Sequence, residues 1–142
     1  MLRHAPLSLA IILTVLVIGL ILERSVRPQM SAEYLILATQ YGIDNNFAAP
    51  PRPFHFDGCT LFPDRIGATS FLEACLTHDI AYWYGGSSSQ RRHADQVFRQ
   101  DIRESGSFGH WLQWPMYSAV RIFGNTWILR QFDANWGFGY NQ

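Results

Sequence analysis

Asp57-Gly58-Cys59-Thr60, then Cys75-Leu76-Thr77-His78-Asp79-Ile80-Ala81-Tyr82, then Ala94-Asp95, is the stretch on which the fold turns. A cysteine, a His-Asp pair and a tyrosine share one predicted helix. A second cysteine sits in an acidic turn before it, and a further aspartate lies on the next predicted helix. The first helix is expected over Ser70–Tyr84. Ser70 and Glu73 have capping-box spacing, and Phe71, Leu72, Cys75, Leu76 and Ile80 recur at helical intervals. Gly85 and Gly86 stop it. A second helix is expected from about Gln90 to Glu104, with Ala94, Val97, Phe98 and Ile102 facing inward. The Gly-Gly-Ser-Ser-Ser connector at 85–89 is short, so the two helices should be antiparallel neighbours.

Upstream, Ser31 can cap a helix through about Gln40, with Tyr34, Leu35, Leu37 and Ala38 as its apolar side. Tyr41 to His55 reads as irregular, because Gly42, Pro50, Pro51 and Pro53 break regular structure. Phe54 to Arg65 reads as a structured loop. Downstream, Pro115 can start a helix through Phe123, ended by Gly124. The aromatic, glycine-rich tail suggests no definite element.

The 142 residues suit one compact domain with a terminal extension. Eleven basic residues, all arginine, balance eleven acidic ones. No strong field therefore draws the chain to nucleic acid. Leu7–Leu22 is an uncharged apolar run of 16 residues, short of the ~20 of a full span. It reads as an uncleaved signal anchor or, alternatively, a removed signal peptide, and has no polar face to suit a buried core helix. Either export reading places the rest of the chain outside the cytoplasm, periplasmic or at the cell surface when anchored, secreted when cleaved. Two cysteines in an exported chain are most simply one disulfide, against the alternative of two buried thiols. Too few Cys and His stand close together for zinc.

Cys75 and Asp79 lie four residues apart on one helical face. A Cys59–Cys75 bond would bring the 57–60 turn within reach of the Asp79 carboxylate. Hard oxygen ligands of this kind suit Ca²⁺: the side chains of Asp57 and Asp79 and the Gly58 carbonyl, with water completing the shell. His78 lies about 100° further round the helix, flanking the ion without binding it. Asp95 projects from the apolar stripe of the second helix, where a carboxylate needs partners. His78 and Tyr82 are the partners on offer. Oriented by Asp95, His78 would act as a base toward water. The blander readings are a surface His-Asp pair, a core tyrosine at 82 and a simple turn at Asp57. His55, His93 and His110 read as structural or solvent-facing.

Together these blocks, with Pro63-Asp64 and the Met116–Gly124 segment, resemble the secreted phospholipase A2 superfamily, most closely its prokaryotic branch. The resemblance covers about half the chain, Phe56 to Gly124. It implies a mainly α fold: a phospholipase A2-like core of two antiparallel helices cross-linked to a metal-binding loop. The N-terminal membrane helix, read from the apolar run, is added to this and departs from the family, whose best-known members are released. The resemblance implies residues 56–124 as catalytic core; around it the sequence itself reads as signal anchor or signal peptide over 1–24, N-terminal helix and linker over 25–55, and tail over 125–142. The roles the resemblance implies are His78 as active-site base, Asp95 as its support with Tyr82 assisting, Asp79, Asp57 and Gly58 as Ca²⁺ ligands, and Cys59–Cys75 as the loop disulfide. Thr60-Leu61-Phe62 does not reproduce the glycine-rich loop of the animal enzymes, and the chain has no second disulfide.

The resemblance also implies the reaction: calcium-dependent hydrolysis of the sn-2 ester of glycerophospholipids by water at a membrane surface. Trp83, Trp111, Trp114 and Trp127 are candidates for the lipid headgroup level. The rival readings are a non-enzymatic membrane-anchored module binding lipid or a partner, a hydrolase of the same fold with another ester substrate, and an unrelated helical envelope protein.

Overall fold

The computed structural model describes residues 32–132 and 134–140. The apolar run Leu7–Leu22 lies outside them. Within them no helix is long and apolar enough to cross a membrane. The described chain is mainly helical: α1 (Ala32–Asn45), a hairpin of β1 (Arg65–Ile66) and β2 (Thr69–Ser70), α2 (Leu72–Tyr84), α3 (Ser88–Glu104), α4 (Ser107–Phe123) and α5 (Trp127–Arg130). The two strands are antiparallel, with Arg65 opposite Ser70.

The frame is the pair α2 and α3. The expected antiparallel arrangement is present: His78 meets Asp95, and one turn further along α2, Tyr82 meets Arg91, one turn earlier on α3. Gly85 ends α2 with its N–H bonded to the Ala81 carbonyl. Ser87 and Gln90 then form a reciprocal capping box, so α3 starts two residues before the expected Gln90. Ala94, Phe98 and Ile102 are buried as expected, and Val97 is half-buried.

Where α2 begins, the expected capping box does not form. Ser70 is paired in the hairpin, and the N-cap is Phe71, with no side-chain cap. Phe71 is wholly buried, and its N–H donates to the Asp64 carbonyl at 2.8 Å. A cap is worth ~1 kcal/mol, whereas burying a phenylalanine is worth ~1.5–3 kcal/mol. Burial of the ring therefore sets the boundary.

α1 runs to Asn45, past the expected end near Gln40. Its inward side is Tyr34, Ala38, Tyr41 and Gly42, at helical intervals, whereas Leu35 and Leu37 are exposed. α4 begins eight residues before Pro115, which lies inside the helix instead of starting it. Packing overrides the local proline rule here, because Gly109 and Gln113 in the first half of α4 are buried. Gly124 caps its end as expected. The tail is ordered around α2: the N–H groups of Gly137 and Gly139 donate to the Tyr82 and Trp83 carbonyls, at 2.7 and 3.1 Å. Those carbonyls in the last turn of α2 would otherwise lack partners.

Candidate active site

Cys59 and Cys75 are joined in a disulfide, with Cα atoms 5.3 Å apart. It fastens the 57–60 turn to the first half of α2, one turn before Asp79. The turn has its own brace: the Cys59 N–H donates to Asp64 Oδ1 at 2.7 Å. Gly58 has φ +90, and a Cβ there would lie 2.5 Å from that carboxylate. Only glycine permits both the left-handed backbone and the close approach.

His78 is buried on α2, its ring held between those of Tyr82 and Phe98, with centroids 4.1 and 4.5 Å away. Its Nε2 lies 2.9 Å from Asp95 Oδ1. The same oxygen accepts the Tyr82 hydroxyl at 2.8 Å. A carboxylate only accepts, so Nε2 carries the proton and Nδ1 carries the lone pair. Nδ1 is 4.0 Å from Asp79 Oδ1. Both residues line a cavity of about 310 Å³ together with Leu61, Phe62, Phe98, Met116 and Val120. The free nitrogen thus belongs to the side of the ring where the second acid stands.

The electrostatics divide in two. Burial pushes the Asp95 carboxyl up, but the hydrogen bonds from His78, Arg121 and Tyr82 outweigh it and hold Asp95 below the usual carboxylate range. Burial lowers His78, and the hydrogen bond and charge of Asp95 offset this only in part. Burial likewise raises the Tyr82 phenol, keeping it a donor. Asp79 is driven the other way: burial, then the charge of Asp57, hold it well above its ordinary value. An acid raised by burial and by the charge of a second acid nearby is a group whose charged form a hard cation would favour. Among the described residues no three His, Cys, Asp or Glu side chains gather for a metal. A Ca²⁺ between Asp57 and Asp79 would therefore take further oxygens from the loop backbone, Gly58 first, and from water.

The residues expected to act in catalysis, metal binding and the cross-link thus lie about one place: His78, Asp79, Tyr82 and Cys75 on α2, Asp95 on α3, and Asp57, Gly58 and Cys59 on the loop. His55, His93 and His110 are exposed. Trp111 and Trp127 are 80% and 70% exposed, and Trp114 is exposed beneath the Arg99 guanidinium. Trp83 does not join them. It is 4% exposed, and its indole N–H donates to the Arg52 carbonyl. Its place near the end of α2, under the folded tail, puts it in the core.

Sequence reasoning gave no role to four contributors, although Asp64 and Arg121 lie within the segments that carry the resemblance. Arg121 donates directly to Asp95 Oδ2, and Arg91 Nε stands 4.0 Å from the same oxygen. Asp64 braces the loop. Trp136 packs edge-on against Tyr82, with centroids 5.0 Å apart. One signal was available for Arg91, which precedes Asp95 by four residues on the same helix. Arg121 gave no such signal, since it comes from another helix. Gly124 also has a role beyond ending α4: a Cβ there would lie 2.4 Å from the Tyr82 hydroxyl.

No curated protein and no solved structure matches the chain. A family defined by sequence does match, over residues 30–120, a span that takes in α1, the loop, α2, α3 and most of α4. That span holds Asp57, Gly58, both cysteines, His78, Asp79, Tyr82 and Asp95, while Arg121, Phe123, Gly124 and Trp136 lie beyond it, and on it the chain belongs to DUF1353, a family described as proteins of unknown function.

Proposed function

We propose that this chain is a phospholipase A2-like hydrolase, activating water with His78 to cleave the sn-2 acyl ester of glycerophospholipids at a membrane surface. The observation that carries this reading is the two-sided environment of one imidazole. Nε2 is tied to a buried carboxylate, and Nδ1 is left toward Asp79 in a largely apolar cavity. A base needs one nitrogen fixed and the other available. A purely structural histidine needs no second acid beside its free nitrogen.

In this reading Asp57, Asp79 and the Gly58 carbonyl would hold Ca²⁺, which when bound supplies positive charge against the developing oxyanion. His78 Nδ1 accepts a proton from water as the water oxygen bonds to the ester carbonyl carbon. Asp95 stabilises the imidazolium that results. His78 then gives the proton to the glycerol oxygen as the carbonyl carbon–oxygen bond breaks. The products are a fatty acid and a lysophospholipid. The apolar cavity wall, with Leu61, Phe98, Met116 and Phe123, suits an acyl chain and excludes bulk water. The resemblance to the prokaryotic phospholipase A2 branch supplies the sn-2 ester. The exposed Trp111, Trp114 and Trp127 and the apolar run 7–22 suit a chain held at a lipid surface.

The test is fatty-acid release by the full-length chain, purified in mild detergent and mixed with phospholipid vesicles, with calcium or with excess chelator. Release that needs calcium and disappears in His78→Gln is expected. Vesicle binding without release, equal in both proteins, would refute hydrolysis and leave a lipid-binding module.

A further inference from the structure

Two arginines with no part in the proposed chemistry converge on the carboxylate that orients His78. Asp95 has no exposed surface. Its Oδ1 is occupied by His78 and Tyr82, both from α2. Its Oδ2 receives Arg121 from the last turn of α4, with Arg91 of α3 beside it. Arg91 does more than flank the carboxylate. Its Nη2 donates to the carbonyls of Val120 and Arg121, each at 2.9 Å, and its Nε to the Tyr82 hydroxyl at 3.3 Å. The guanidinium nearest Asp95 on its own helix therefore also holds the backbone from which Arg121 projects.

The neutral forms of His78 and Tyr82 give Asp95 hydrogen bonds but no charge. A buried acid with no cationic partner relieves its desolvation cost by taking up a proton. A protonated Asp95 would be a donor. His78 Nε2 would then become the acceptor, and the imidazole proton would move to Nδ1, the nitrogen beside Asp79. An arginine does not lose its proton. With one bonded to Oδ2 and a second alongside, Asp95 stays an acceptor.

We propose that Arg121, anchored by Arg91, is a positioning residue for His78: it keeps Asp95 an anion, which holds the proton on Nε2 and the lone pair on Nδ1. The consequence for turnover rests on the hydrolase reading. The consequence for the tautomer does not.

The experiment is nitrogen-15 NMR of the His78 imidazole in the full-length chain, in detergent micelles with excess chelator, the signals being assigned by their loss in His78→Gln. Wild type is expected to show a protonated Nε2 and an unprotonated Nδ1. Arg121→Gln is expected to move the ring toward the other tautomer, and Arg121→Lys to restore it. Arg91→Gln, which leaves the direct ion pair in place, should give a smaller change in the same direction and serves if Arg121→Gln does not fold. In turnover, Arg121→Gln should lower kcat by ~10–10²-fold with KM within about twofold, and Arg121→Lys should recover most of the loss. Wild-type imidazole signals in every folded Arg121 and Arg91 variant would overturn the proposal. Absence of fatty-acid release from the wild type would defeat the hydrolase reading, and the imidazole signals would still decide the role of Arg121.

Discussion

His78 stands between two acids treated in opposite ways. On one side Asp95 is wholly buried and accepts from His78, Tyr82 and Arg121, with Arg91 alongside. On the other, Asp79 is held well above the carboxylate range by burial and by the charge of Asp57. The first half of the site is complete as folded. The second carries a cost as folded that a bound cation would remove. In the proposed reading such an arrangement would separate duties: one acid would fix the geometry of the base, and the other would meet the cation.

The largest expected effect comes from the group between them. His78→Gln should lower fatty-acid release by at least the ~10²–10⁴-fold typical of a general base, while far-UV circular dichroism stays that of the wild type. Similar rates in the two proteins would remove the reason for contrasting the acids at all.

Next is the complete half. Asp95→Ala leaves Arg121, Arg91, Tyr82 and His78 without their common acceptor. It should cost ~3–5 kcal/mol, the range for removing one partner of a buried ion pair, read as a lower urea midpoint. A loss below about 1 kcal/mol would mean that the network does not hold the site together.

The other half should respond with opposite sign. In chelator, Asp79→Asn should raise stability by ~1 kcal/mol, since it removes a half-buried charge facing a like one. The same substitution should abolish any rise in melting temperature on adding calcium. The sign follows from linkage. A raised folded-state pKa for Asp79 gives stability that is complete below the unfolded value of ~3.9 and is lost as pH rises through the folded value. Destabilisation by Asp79→Asn in chelator at pH 8 would contradict this.

The smallest effect sharpens the contrast through His78 itself. Its folded pKa is lowered, so its contribution is present above the unfolded value of ~6.5 and is lost as pH falls from there toward the folded value. Stability in chelator should therefore fall more steeply below pH ~6.5 in wild type than in His78→Gln, by at most ~1.4 kcal/mol per pH unit. Parallel curves would mean that His78 titrates as it does in the unfolded chain.

Much of this was legible because it is local. The spacing of Cys75, His78, Asp79 and Tyr82 orders them on a helix face, and the short connector turns Asp95 back onto that face. The two-cysteine chain suggested a single bond. What was not legible came from distant segments. Ser70 has the spacing of a cap but is drawn into a hairpin by its pairing with Arg65 and the burial of Phe71. Pro115 looks like a helix start but is overridden by packing of the first half of α4. Trp83 looks like an interfacial residue until the tail folds over it, and nothing in the segment around Arg121 points to Asp95 until α4 reaches it.

The most direct measurement uses phospholipid vesicles labelled separately in the sn-1 and the sn-2 acyl chain, with the full-length wild-type protein. The expected result is release of the sn-2 label alone, in calcium and not in chelator. Release indifferent to calcium, or no release from either position, would contradict the division of labour between Asp79 and Asp95.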